Sequence, residues 1–66
     1  MEWTVADSIA DKLNFEHLTI TDLDDMVGTE ISVDMPTRPD GSWTRVTVEL
    51  TRRLADKAVS IAKGRI

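Results

Sequence analysis

The chain has 66 residues, 41% hydrophobic and 30% charged, with a formal net charge of −4; this is too apolar for a disordered tail, yet a domain of such length buries only about 60% of the surface its unfolded chain exposes. The absence of cysteine and the single histidine exclude a disulfide framework, a thiolate zinc site and a histidine cluster. The longest runs without a charge, 17–21 and 58–62, fall far short of a membrane span, and Glu2 and Asp7 stand where a secretory leader wants cations, so the expectation is one small cytoplasmic domain over 1–66 without membrane contact.

Residues 4–14 carry Val5, Ala6, Ile9, Ala10 and Leu13 at helical spacing behind Thr4, with Asp7 three places on as a capping partner. Residues 17–21 alternate, Leu18 and Ile20 against His17, Thr19 and Thr21, which predicts a short strand. From Thr21 to Gly28, a capping threonine, early acids and a glycine stop predict one or two helical turns. Glu30–Met35 and Trp43–Leu50 alternate cleanly across a loop with Pro36, Pro39 and Asp40-Gly41, the pattern of a hairpin. Ile31, Val33, Met35, Val46, Val48 and Leu50 take its core face; Glu30, Ser32, Asp34, Arg45, Thr47 and Glu49 face outward, and Trp43 shares their parity. The prolines make the loop stiff and protruding. Thr51 caps a final helix over 52–63 with Leu54, Ala55, Ala58, Ile61 and Ala62 as its stripe. The expected fold is a two-layer α+β domain in the order α-β-(short α)-β-β-α, with a three-stranded antiparallel sheet and the helices on one face.

No pattern in the chain carries catalysis. Asp22, Asp24 and Asp25 lack the alternate ligand positions and distal glutamate of a calcium loop, and Leu23, Met26 and Val27 impose helical packing on the same stretch, so no metal is expected. His17 has no second group to work with, and no glycine-rich loop or nucleophile elbow occurs. The reading is of a non-enzyme without cofactors.

The charge is unevenly distributed. Residues 1–34 hold nine carboxylates against Lys12, whereas 35–66 hold seven cations against Asp40, Glu49 and Asp56, giving −8 and +4. An uneven field of this kind bears on partner choice. Asp7, Asp11, Asp22, Asp24, Asp25, Glu30 and Asp34, if they converge, imitate phosphates and suit the basic groove of a nucleic-acid-binding protein, with no direct nucleic-acid contact; Trp43 and Arg45 form a possible second contact. A tiny, acidic, cysteine-free chain without catalytic residues resembles phage-encoded anti-defence proteins, including anti-restriction and anti-CRISPR inhibitors. That resemblance implies an inhibitor acting as a DNA mimic; the sequence leaves its state open between a monomer and a small homo-oligomer. The opposing reading is intramolecular: the basic last helix packs beside the acidic half and the asymmetry disappears in space.

The alternative starts from Thr44–Thr51 and the helix beginning Arg52-Arg53, with Lys57 a turn on, a segment that resembles the strand and first helix of ribbon-helix-helix repressors over about a third of the chain. It implies a small dimeric regulator or antitoxin contacting DNA through Arg45, Arg52, Arg53 and Lys57, although Glu49 sets a carboxylate toward the phosphates on one ribbon face.

Overall fold

The structure, a computed structural model, describes residues 2–65. Its order is α1 (Val5–Phe15), α2 (Ile20–Met26), β1 (Glu30–Met35), β2 (Thr44–Glu49) and α3 (Arg52–Gly64), an α+β arrangement of three helices and a two-stranded antiparallel sheet among the described residues.

Each helix begins where a threonine can satisfy its open backbone N–H groups. Thr4 and Asp7 form a reciprocal capping box on α1, Thr19 and Asp22 form a second on α2, and the Thr51 hydroxyl accepts the Leu54 N–H on α3. The third strand expected at 17–21 does not exist. α1 runs through Phe15, Leu18 N–H bonds back to the Lys12 carbonyl, and His17 takes a left-handed φ of 60° to redirect the chain. Ile20 is thereby the first residue of α2, and its cap is Thr19, two residues before the expected Thr21. Five alternating residues hold too few ladder bonds to outweigh a cap and a helix that buries Leu23 completely. Gly28 ends this segment at φ 93°, as its position predicts.

The hairpin pairs Glu30 with Glu49, Ile31 with Val48, Ser32 with Thr47, Val33 with Val46, Asp34 with Arg45 and Met35 with Thr44. The second strand is one residue shorter at each end than its alternation suggests. Inward and outward faces follow the expected parity: Ile31 and Val33 are buried, Met35, Val46 and Val48 partly so, and the outward set is exposed except for the partly buried Ser32. In the loop, Gly41 at φ 83° lets its N–H reach the Arg38 carbonyl at 3.0 Å, and Ser42 N–H bonds the Asp40 carboxylate at 2.9 Å.

The buried cluster joins Ala6 and Ile9 of α1, Leu23 of α2, Ile31 and Val33 of β1, Leu50, and Ala55 and Ala58 of α3. α1 and α3 form the most extensive helix contact, and α1 also lies on β1. The buried alanines of both helices, Ala6 and Ala10 with Ala55, Ala58 and Ala62, present little side-chain bulk at that contact, which suits close approach. This packing brings the last turn of α3 beside the first half of α1 and so decides the electrostatics of the surface.

Candidate partner-binding surface

Four of the seven acids proposed from sequence have arginine partners. Arg65, just past α3, reaches Asp11 through one guanidinium nitrogen and Asp7 at 3.5 Å through the other, while its carbon lies 5.6 Å from the centre of the Trp3 ring. Asp7 is held below the usual carboxylate range, first by the Thr4 backbone N–H it accepts, then by the Thr4 hydroxyl, with Arg65 adding to both. Asp24 accepts Arg52 at 2.7 Å, which raises the guanidinium above its ordinary value, and Arg52 also stands 3.6 Å from Asp56 one helical turn on. Asp34 meets Arg45 at 3.3 Å across the hairpin. The cations of the last helix thus lie against part of the acidic half, as the intramolecular reading expects.

Three of the proposed acids remain without a cation partner among the described residues: Asp22, Asp25 and Glu30. Asp22 caps α2 through the Thr19 N–H at 3.4 Å, and all three are exposed. Asp22 and Glu30 line a cleft of about 390 Å³ between the end of α1, α2 and β1. Its apolar lining is Leu18, Met26 and Ile31; Glu16 adds a third carboxylate, with Lys12 of the same lining 3.8 Å from it, and His17 also lines the cleft. Glu30 also faces Glu49 directly across the sheet, so negative potential concentrates where β1 begins. A cleft lined by three carboxylates and three apolar side chains suits an arginine or lysine side chain, whose stem is apolar and whose head is cationic.

Glu16 was not singled out in the sequence reading. It lies at the end of α1, and the turn through His17 brings it to the same cleft as Asp22 and Glu30. Ser8 was missed for a similar reason. Its buried hydroxyl donates to the Asp34 carbonyl at 2.7 Å and accepts the Trp3 indole N–H at 2.6 Å, tying the start of the chain to β1. No local signal marks a serine on a helix as the partner of a strand 26 residues away.

Trp43 is 53% exposed and packs edge-on to Trp3, with ring centres 5.5 Å apart. The second contact expected from Trp43 and Arg45 is therefore partly used within the chain, Trp43 lying against Trp3 just ahead of α1 and Arg45 meeting Asp34. Arg53 and Lys57 are exposed on α3. Among the described residues, no group of three or more carboxylate or histidine side chains stands close enough to hold a metal ion, and no helix is long and apolar enough to cross a membrane. Comparison with family models, curated proteins and solved structures finds no match to this chain.

Proposed function

We propose that this is a non-enzymatic binding protein whose acidic cleft takes a basic segment of a partner protein, acting as an inhibitor that occupies a nucleic-acid-binding groove. The observation that carries the reading is that Glu16, Asp22 and Glu30 line one cleft together with Leu18, Met26 and Ile31, where Lys12 beside Glu16 is the lone lysine or arginine of the lining, with Asp25 exposed on the adjoining helix. Asp7, Asp11, Asp24 and Asp34 face arginines of their own chain, which narrows the mimic from the whole acidic half to this end of the molecule. Carboxylates mounted on helix ends and a strand lose little ordering entropy on binding, and a basic groove built for phosphates supplies the complementary field. The regulator reading is weaker, because Arg45 and Arg52, two of its four DNA contacts, already face Asp34 and Asp24.

The test is capture on immobilised protein followed by elution with duplex DNA. A partner released by duplex and by added salt, and lost from an Asp22→Asn, Asp25→Asn, Glu30→Gln variant that keeps its circular dichroism, supports the proposal. A partner that the triple variant retains, or that duplex fails to displace, rejects it. Direct binding of duplex by the protein itself, abolished by Arg53→Ala and Lys57→Ala, would favour the regulator instead.

A further inference from the structure

One edge of the sheet is open. Antiparallel ladders alternate between residues that bond across the pair and residues that point away from it. Leu50 N–H donates to the Thr29 carbonyl at 2.8 Å, so Val48, Val46 and Thr44 turn their backbone groups toward β1, and Glu49, Thr47 and Arg45 turn theirs outward. The far edge has the same parity: the carbonyl of Asp34, the residue opposite Arg45, points off the ladder and accepts the Ser8 hydroxyl. α1 thus closes part of the β1 edge. No comparable bond reaches the outward backbone of Arg45, Thr47 or Glu49 among the described residues, and β2 has no proline or inward-pointing charge to block pairing.

The side chains of that edge are complementary to themselves. A second copy laid antiparallel along β2, about a two-fold axis through Thr47, sets Arg45 opposite Glu49 of the second copy, Val46 opposite its Val48, and Thr47 opposite its Thr47. This register also makes the outward-turned backbones of Arg45, Thr47 and Glu49 meet one another as hydrogen-bonded pairs. A one-residue slip faces outward groups with inward ones, and a two-residue slip leaves the charges unmatched. Within one chain Glu30 and Glu49 stand directly opposite, with no cation within ion-pair distance of either among the described residues; Arg45 of the second copy, which stays exposed while 3.3 Å from Asp34 of its own chain, sets a cation opposite Glu49. The middle row continues in the same way, since Ser32 and Thr47 already share a hydroxyl bond of 2.9 Å. On the other face, Val46 and Val48 are only partly buried, because α1 lies over β1 and covers β2 less.

We infer that the protein forms a symmetric dimer through β2, giving a continuous four-stranded antiparallel sheet in the order β1-β2-β2-β1. The acidic cleft is lined by no β2 residue, so each dimer presents two open clefts.

Sedimentation equilibrium on the full chain should show a monomer–dimer equilibrium. Arg45→Glu and Glu49→Arg each place like charges in both facing pairs and should weaken self-association about tenfold, with circular dichroism unchanged. An equimolar mixture of the two variants restores opposite charges at both positions and should associate with the parental affinity. In a mixture of labelled and unlabelled wild-type chains, isotope-filtered spectra should connect Val46 Hα with Val48 Hα of the other copy, a readout that needs no variant to fold. A wild-type chain that stays monomeric at spectroscopic concentration, variants that self-associate as the parent does, or a mixture no tighter than either variant alone overturns the proposal.

Discussion

Replacing Arg65 with alanine removes the contact that fastens the end of α3 to α1. The Arg65 side chain is 29% exposed, and those of its partners Asp7 and Asp11 are 16% and 38% exposed, so both pairs sit at the boundary of solvent and each is discounted to about 0.5 kcal/mol for screening. The Trp3 face adds about 0.5 kcal/mol as a cation–π contact. Together Arg65→Ala should cost about 1.5 kcal/mol, which for a domain of this size lowers the melting temperature by roughly 6–12 °C. Urea unfolding followed by tryptophan fluorescence measures the first quantity, and calorimetry the second. Because two of the three contributions are ionic, the gap between wild type and variant should shrink in high salt. A gap within about 0.3 kcal/mol of zero, or one indifferent to salt, would show that the clasp across Asp7, Asp11 and Trp3 is absent and would return those acids to the open surface.

Other outcomes follow from the packing and caps. Leu23 is fully buried and is the one core side chain of α2; Leu23→Ala should cost about 2–5 kcal/mol in chemical denaturation, a large part of what a chain of this length has, and should weaken any ligand of the cleft. His17 holds a left-handed backbone that glycine adopts freely, so His17→Gly should raise stability by up to about 1 kcal/mol, and a loss on denaturant titration would contradict the turn. Asp7 lies below its ordinary 3.8 when folded, so the unfolded chain binds that proton more tightly. Its contribution is complete above the unfolded value and disappears as pH falls through the folded one, and Asp7→Asn should therefore show a shallower loss of stability below about pH 4 than the parent.

Much of the fold was legible in the sequence because its signals are local. Alternation in Glu30–Met35 and in the second strand, with Pro36, Pro39 and Gly41 between them, set the hairpin and its inward face. Thr4 and Thr51, each placed before a helical stripe, set the starts of the outer helices. The stretch 17–21 misled because its alternation is brief, although Thr19 and Asp22 repeat the three-residue spacing of the Thr4 and Asp7 box and mark the true start of α2. The surface was less legible for a different reason. Whether Asp7, Asp11, Asp24 and Asp34 stand open depends on contacts to Arg65, Arg52 and Arg45 made between elements, and these require knowing that α3 lies along α1 and that Asp34 sits opposite Arg45. The second of these follows from the register alone; the first does not.

The cleft lined by Glu16, Asp22 and Glu30 is proposed to receive cationic side chains. The most direct measurement is an amide chemical-shift titration of the labelled protein with a short oligoarginine peptide. It should give saturable shifts centred on Glu16, His17, Asp22, Met26 and Glu30, weakened by salt and by Asp22→Asn with Glu30→Gln. Shifts spread evenly over the charged surface, or an affinity that survives both neutralisations, would contradict the claim.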